Sequence, residues 1–238
     1  GFLKQDYEQD IERLYKEIND FNPNIIITMG GLGLWALTNI DKIGSYRGAL
    51  TYSNVGKLNR PYKIMPTYSP FAVLKNYSFR PTVVSDLKKA GQESTTKDIE
   101  NTEREIYIEP TYEEVIQFFK ECREENSKDN PLSFDIETAS GEITCIGFAP
   151  SPKRSMVVPF RDITKKSQAF YDYTTEITIW KEIADLLQDE KITKVAQNQT
   201  YDVSWLSYKY GIDVAGTVHD TMHAQHSLQP EMEKGLGF

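Results

Sequence analysis

Two acidic residues separated by one position follow an apolar run in the segment NPLSFDIETAS, residues 130–140. Because alternate residues of a β-strand point to the same face, Asp135 and Glu137 are predicted to project together. Two neighbouring carboxylates repel each other, and burying either is costly without a counter-charge. Hard oxygen ligands suit Mg²⁺ or Mn²⁺, so the pair is a candidate metal site. The alternative is a pair of solvated charges at a strand end, and for these two residues alone that interpretation is favoured.

A second polar group, NQTYD, stands where the predicted short strand KVAQN meets a predicted helix, TYDVSWLSYKYG. Asn198 and Asp202 are four residues apart, so they share a face if the helix has begun by Asn198. The alternative is structural. Asn198 would then cap the helix, and Asp202 would lie in its first turn, where a negative charge favours the helix dipole.

The order of these elements is more specific than either group. A strand with Asp-x-Glu is followed by two predicted antiparallel strands, EITCIGFA and SMVVPF, with residues 150–154 as their turn. A helix near residues 178–188, a short strand and the NQTYD segment come next. This order resembles the 3′–5′ exonuclease domain of family A DNA polymerases, within the DnaQ-like (DEDD) nuclease superfamily. FDIET is similar to its first motif, NQTYD to its second, and HDTMHAQHSLQPEMEKGL to the segment that follows in phage and bacterial members.

The resemblance covers about residues 106–238 and implies an α/β fold of the ribonuclease H-like type, with a mixed sheet flanked by helices. It implies that Asp135, Glu137 and Asp202 are the catalytic acids and hold two divalent ions, Mg²⁺ or Mn²⁺, about 3.5–4 Å apart. The reaction would be hydrolysis that releases a nucleoside monophosphate from a DNA 3′ end. Thr138 would lie near the terminal nucleotide, while Asn198 and Tyr201 would position the strand. For Tyr201, core packing is the favoured alternative.

The sequence departs from this family in one respect. The family has a third motif, a tyrosine and an aspartate four residues apart on a later helix, and neither is present before Phe238. We therefore expect a fragment, or a site completed by another chain, with weak or absent activity for this chain alone. The expected partners are a single-stranded DNA 3′ end and a polymerase domain, in the same polypeptide or in another chain.

A different resemblance covers about residues 5–90. The segments PNIIITMGGLGLWAL, KIGSYRGAL, YKIMPTYSPFAVLKN and RPTVVSDLKKA resemble, in order, the C-terminal half of uracil-DNA glycosylases of the bacterial and archaeal iron–sulfur type. This implies a partial glycosylase-like α/β layer at residues 1–90. The matching positions are Gly30, Gly33, Leu34, Ala36, Leu37, Arg47, Gly48, Thr67, Tyr68, Pro70 and Ala72.

The functional positions of that family are not matched. Ser69 stands where the family has the histidine that stabilises the departing uracil anion, and the water-activating motif and cluster cysteines are missing. We expect no glycosylase activity. A scaffold or docking role is slightly favoured over DNA contact, for which the candidate residues are Arg47, Ser69, Lys75 and Arg80.

Composition sets broader limits. The 238 residues carry a net charge of −8, which argues against extended electrostatic binding to nucleic acid but not against a local metal-neutralised site. Two cysteines without metal-like spacing indicate a reduced intracellular protein, and the phage-type resemblance places it in the cytoplasm of an infected bacterial cell. No apolar run is long enough to cross a membrane.

Residues 91–105 contain a single aliphatic residue, Ile99, and are predicted to link the domain at 1–90 to the domain at 106–238.

Three histidines near the end of the sequence allow a second metal hypothesis. His219 and His223 are four residues apart and would share a helix face, as zinc ligands often do. Polar surface positions are the favoured interpretation for these two and for His226, and Asp220 is predicted to be a helix N-cap.

The rival to the nuclease hypothesis is a non-catalytic module that binds DNA or docks a replication partner.

Overall fold

The computed structural model describes residues 7–100, 102–162, 164, 168–230, 232, 234 and 235. The chain divides into two compact units, Gly1–Asn101 and Thr102–Phe238. The helix before the predicted linker at 91–105 ends at Glu93, and the next strand begins at Glu105, so regular structure enters both ends of that linker. Residue 101, inside that linker, lies outside the described residues. No helix in the described ranges combines the length and apolar character needed to cross a bilayer.

The first unit is built on a sheet with the strand order β1–β3–β2, counted over its described residues. Strand β3 pairs in parallel with β1 and antiparallel with β2. Helix α1 contributes Tyr15 and Ile18 to a core completed by Leu37, Tyr62 and Ile64. The elements are α1 (Glu8–Phe21), β1 (Ile25–Met29), α2 (Gly31–Thr38), α3 (Ile43–Tyr46), β2 (Thr51–Tyr52), β3 (Lys63–Thr67), α4 (Pro70–Lys75) and α5 (Phe79–Glu93).

Strand β3 was not predicted, because Lys63 and Pro66 are poor residues for a central strand. The structure accommodates both. Pro66 lies beyond the two residues that pair with β2, so its missing N–H breaks no β2 bond. The fully buried Lys63 donates to Thr96 Oγ1 at 3.1 Å and to the carbonyl of Asp98 at 3.0 Å. Lys63 therefore fastens the segment after α5 to the sheet of the first unit.

The second unit contains a mixed sheet with the order β11–β10–β5–β6–β7–β4 in the part of the chain that the structure describes. Strands β5, β6 and β7 run antiparallel, while β4, β10 and β11 join by parallel pairing. The elements are β4 (Glu105–Ile108), α6 (Tyr112–Glu125), β5 (Leu132–Ala139), β6 (Glu142–Ser151), β7 (Arg154–Pro159), β8 (Arg161–Asp162), β9 (Gln168–Ala169), α7 (Tyr173–Gln188), β10 (Lys194–Ala196), α8 (Gln199–Tyr210), β11 (Val218–Asp220) and α9 (Thr221–Leu228).

This mixed sheet flanked by helices confirms the predicted architecture of the second half. The capping box at Thr111 and Glu114 is present, with Glu114 N donating to Thr111 Oγ1 and Thr111 N to Glu114 Oε2. The C-terminal stop of α8 at Gly211, in the left-handed conformation with φ 65°, is also confirmed.

Two predicted boundaries were wrong. The turn between β6 and β7 was placed at residues 150–154, but Pro150 and Arg154 both belong to strands. Helix α7 begins at Tyr173 rather than near Thr178, because Asp172 accepts hydrogen bonds from the backbone N–H groups of Thr174 and Thr175. Neither error displaces the strands and helix that carry the candidate site.

Candidate catalytic site

Strand β5 separates an apolar face from an acidic one. Phe134 and Ile136 are buried in the core, whereas Asp135 and Glu137 are exposed on the opposite face. The pairing with β6 shifts register between Glu137 and Thr138, which marks a bulge directly after the two acids. The predicted shared face of Asp135 and Glu137 is confirmed by this alternation.

Asp202 reaches the same strand from helix α8. Strand β10 pairs with β5 only at Leu132 and Ser133, and the chain turns into α8 soon afterwards. Beyond that pairing, Asp202 Oδ1 accepts a hydrogen bond of 2.9 Å from the backbone N–H of Ile136. Since Ile136 lies between the two acids of β5, this bond brings the third carboxylate to the same short segment. Asp202 is only 3% exposed, so its position is constrained by packing as well.

The three carboxylates influence one another. Loss of solvent around its carboxyl group, together with the charge of Glu137, raises the pKa of Asp135. Burial raises the pKa of Asp202, the Ile136 N–H opposes that change, and the charges of Asp135 and Glu137 reinforce it. Burial and the same two charges also raise the pKa of the Cys145 thiol, which belongs to the residue paired with Glu137 across the sheet. The site therefore concentrates negative charge where water is partly excluded.

The chemistry of these donors fits a hard divalent cation. In the described ranges, no salt bridge joins a lysine, arginine or histidine to any of the three acids. Within the same ranges, no group of three His, Cys, Asp or Glu side chains is arranged so that it could hold a metal ion. Asp135 and Glu137 are exposed and can rotate, whereas Asp202 is held by Ile136. The donor set fits Mg²⁺ or Mn²⁺ if the two exposed carboxylates turn toward the fixed one.

Two of the predicted DNA-positioning residues contact each other. The hydroxyl groups of Thr138 and Tyr201 lie 2.5 Å apart, which links the end of β5 to the first turn of α8. Tyr201 is 45% exposed, so core packing does not account for it. Asn198 occupies the N-cap position of α8 with φ 56°, but its side chain makes no capping bond. The structural alternative for Asn198, a side-chain cap, is therefore wrong.

The residue that does cap α8 is Asp220. Its carboxylate accepts from the backbone N–H groups of Asn198 at 3.1 Å and Gln199 at 3.0 Å. It also accepts from Met222 and His223, which confirms its predicted role as the N-cap of α9. Burial would raise the pKa of Asp220, but these four backbone hydrogen bonds outweigh it and lower the pKa. One buried carboxylate thus fixes the starts of both helices, a double role that the sequence did not reveal.

The histidines do not form a zinc site in the described ranges. His219 belongs to strand β11, where it pairs with Val195, and α9 begins only at Thr221. His219 and His223 therefore do not share a helix face, which was the disfavoured alternative. The last residues of the segment that was compared with phage and bacterial exonucleases, 231, 233 and 236–238, lie outside the described residues.

The candidate DNA contacts of the first unit fall into two groups. Arg47 Nη1 forms an ion pair of 3.1 Å with buried Asp86, and only 10% of the Arg47 side chain is exposed. Its guanidinium group therefore pairs with a buried carboxylate rather than facing solvent. Ser69 caps α4 by accepting from Ala72 N at 3.2 Å. Lys75 and Arg80 are exposed and lie over the rings of Phe71 and Tyr77.

Comparison with known families decides the class of the second unit. A family described as 3′-5′ exonuclease matches residues 104–238. The chain belongs to this 3′–5′ exonuclease family. The match contains β5 and α8 and therefore all three acids of the candidate site.

One relative of this exonuclease chain is the DNA polymerase of Bacillus phage SP01, 26% identical over 239 aligned positions. The alignment covers 90% of the chain, more than residues 104–238 can supply, so it includes much of the first unit. The chain spans about a quarter of that relative's length, 25%.

Two solved structures have a partial likeness to this chain. The EXD2 exonuclease domain soaked in Mg and dGMP is 18% identical, with a TM-score of 0.38, covering 53% of this chain and 61% of that one. RNase D of Trypanosoma brucei is 18% identical, with a TM-score of 0.38, and the alignment covers 51% of this chain and 40% of that one.

Proposed function

We propose that this chain is the proofreading exonuclease region of a DNA polymerase and hydrolyses the 3′-terminal phosphodiester of DNA. The observation that carries the proposal is the hydrogen bond from Ile136 N–H to Asp202 Oδ1, which joins the acid of α8 to the two acids of β5. Membership of the 3′–5′ exonuclease family supports the reaction. The likeness to a phage DNA polymerase supports the proofreading role and a polymerase domain as the partner, in the same polypeptide or another chain.

The proposed catalytic residues and metal ligands are Asp135, Glu137 and Asp202. A divalent cation bound there, Mg²⁺ or Mn²⁺, would neutralise the carboxylates and lower the pKa of a bound water toward 7. The Asp202 carboxylate is the metal ligand with a fixed position, because it is buried and bonded to Ile136 N–H. The carboxylates of Asp135 and Glu137 can change rotamer to reach the cation, because they are exposed.

The residues around the acids have positioning roles in this proposal. The Thr138–Tyr201 hydroxyl pair presents an exposed ring and two polar oxygens beside Glu137, where a terminal nucleotide can stack and donate or accept hydrogen bonds. Asn198 contributes a side chain that is not used in capping.

Metal dependence tests the reaction. A 5′-labelled single-stranded oligonucleotide should shorten from its 3′ end in Mg²⁺ or Mn²⁺ and stay intact in EDTA. Direct Mn²⁺ binding measured by electron paramagnetic resonance gives a readout that is independent of turnover. Asp135→Ala should weaken Mn²⁺ binding at least about tenfold, since even a hydrogen-bond partner of a ligand typically contributes that much.

The matched control is Asp185→Asn, which removes an exposed carboxylate from α7 in the same unit. It should leave both Mn²⁺ affinity and hydrolysis unchanged. Unchanged Mn²⁺ affinity in Asp135→Ala would contradict the two-metal proposal and favour a non-catalytic DNA-binding or partner-docking module.

For the first unit we propose a glycosylase-like scaffold without glycosylase chemistry. Ser69, at the position of the family histidine, accepts the hydrogen bond that caps α4. Its hydroxyl can still donate one hydrogen bond, but it is shorter than an imidazole and is placed differently relative to a departing uracil anion. Arg47 is paired with Asp86. Of the four candidate DNA contacts, Lys75 and Arg80 are therefore the exposed cations.

We expect no uracil excision by this chain from a uracil-containing DNA duplex, measured by alkaline cleavage of the abasic product. An active uracil-DNA glycosylase assayed on the same duplex provides the positive control. Measurable excision by the chain would show that another group replaces the histidine and would contradict the scaffold proposal.

A further inference from the structure

Helix α8 carries an exposed aromatic face in addition to Asp202. Tyr201, Trp205 and Tyr208 are spaced by four and three residues, so they lie on one side of the helix, and Lys209 follows Trp205 by four. We call these four residues the aromatic stripe. Tyr201 is 45% exposed and Tyr208 is 86% exposed, while Trp205 is half-buried. Contiguous exposed apolar side chains, unlike single exposed rings, often mark a binding surface.

The aromatic stripe begins at the candidate catalytic site. Tyr201 precedes Asp202 in sequence, and its hydroxyl lies 2.5 Å from that of Thr138, the residue after Glu137. The ring centroids of Tyr201 and Trp205 are 6.2 Å apart, and Lys209 Nζ lies 5.9 Å from the centroid of Trp205. From Tyr201 to Tyr208 the helix rises about 10 Å. The stripe therefore leads away from the three acids as a continuous surface.

The charge of this surface is unusual for the chain. The net charge is −8, and α6 alone carries five glutamates. Helix α8 has a single acidic residue, Asp202, which is buried and bonded to Ile136. The aromatic stripe thus offers rings and the Lys209 cation and contains no carboxylate, although the Asp213 carboxylate lies beside α8, where it accepts a hydrogen bond of 2.6 Å from Ser207 Oγ. A polyanion with flat bases is complementary to such a face, because phosphates seek cations and bases stack on aromatic rings.

We propose that the aromatic stripe is a stacking track for single-stranded DNA, which leads the strand toward the carboxylates of β5 and α8. Successive bases stack on Tyr208, Trp205 and Tyr201, and Lys209 contacts the backbone. Stacking is tolerant of sequence because every base has a π-face, as an enzyme acting on any 3′ end requires. This inference rests on the proposed function, since it takes the substrate of that site to be a single strand.

The test is equilibrium binding of a fluorescently labelled oligothymidylate of 12 nucleotides to the 238-residue chain, followed by anisotropy in EDTA. Chelation prevents hydrolysis, so binding is measured apart from catalysis. Tyr208→Ala and Trp205→Ala should each weaken binding about tenfold, which is the loss of one base–aromatic stack. Lys209→Gln should reduce the dependence of binding on salt concentration.

The matched control is Tyr173→Ala, which removes an 81% exposed ring from the start of α7 in the same unit and should bind like the native chain. Trp205 packs partly against the core, so Trp205→Phe is included to keep that packing and a stacking ring. It should retain most of the affinity that Trp205→Ala loses. Circular dichroism melts identify any variant that fails to fold.

Tyr208→Ala is the deciding variant because its side chain is almost wholly exposed and its loss should not affect folding. Binding within twofold of the native chain would overturn the track and leave the stripe as a surface for a protein partner. Failure of the proposed function looks different. Asp135→Ala would then leave Mn²⁺ affinity unchanged, yet the stripe variants would still weaken oligothymidylate binding.

Discussion

Replacing Asp202 with asparagine is expected to reduce metal-dependent hydrolysis of single-stranded DNA at least about a hundredfold while the protein stays folded. The asparagine Oδ1 can still accept the hydrogen bond of Ile136 N–H, so the junction between α8 and β5 is kept. The substitution removes the negative charge of the one rigid carboxylate in the site. Loss of activity would therefore report loss of metal binding rather than loss of fold.

Stability measurements separate these two effects. A cation that binds the folded native chain at a hundred times its Kd should raise the free energy of unfolding by about 2.7 kcal/mol. Asp202→Asn should lose most of this gain. Without metal the variant should be at least as stable as the native chain, because a buried and repelled charge has been removed.

The measurements are the initial rate of shortening of a 5′-labelled oligonucleotide and thermal unfolding with and without Mn²⁺. Asp185→Asn should match the native chain in both, since its carboxylate is exposed on α7. If Asp202→Asn kept native hydrolysis, α8 would have to be removed from the catalytic proposal altogether.

Replacing Asp220 with alanine is expected to lower the free energy of unfolding of the second unit by about 2–3 kcal/mol. A single N-cap typically contributes about 1 kcal/mol, and Asp220 caps two helices through four backbone N–H groups. Its burial, 8% exposed, means that water replaces those bonds poorly after the substitution. Chemical denaturation followed by circular dichroism measures the loss.

Asp172→Ala is the matched control, because Asp172 caps only α7. It should cost about 1 kcal/mol, less than half of the effect of Asp220→Ala. Equal effects of the two substitutions would show that Asp220 acts at one helix rather than two.

The contribution of Asp220 should also depend on pH in a defined direction. Its pKa is lowered in the folded chain from the ordinary value of 3.8. Its stabilisation is therefore present above about pH 4 and is lost as the pH falls through the folded pKa. The stability difference between the native chain and Asp220→Ala should be constant from pH 5 to 7 and shrink below pH 4. The Asp220 carboxylate also lies 3.6 Å from His223 Nδ1, but that side chain is 65% exposed and water screens the pair.

The elements that carry the candidate site were largely predictable because their signals are local. Strand periodicity placed Asp135 and Glu137 on one face, and the apolar positions Phe134 and Ile136 oriented that face away from the core. The predicted helix TYDVSWLSYKYG likewise ends at Gly211, where α8 stops, and Thr111 with Glu114 forms a local capping box at the start of α6. Each of these signals involves residues within a few positions of one another.

The features that the sequence did not predict correctly share a different cause. Strand β3 contains Lys63 and Pro66, and its assignment depends on partners more than thirty residues away along the chain. A helix face shared by His219 and His223 was considered as an alternative because the sequence does not show the pairing of β11 with β10. Arg47 was considered for DNA contact because the sequence does not show Asp86 opposite it. In each case a distant residue decided the local environment.

The sequence by itself determined that Asp135 and Glu137 would share a face, because the side-chain period of a strand is a property of the chain alone. The order of its motifs also indicated that Asp135, Glu137 and Asp202 correspond to acids of the exonuclease family. The tertiary structure decided that Asp202 reaches Ile136 N–H where β10 ends, and that Asp220 holds the starts of α8 and α9 together. Those contacts span 66 and 22 residues, and only the packing of the sheet brings such distant groups within hydrogen-bonding distance.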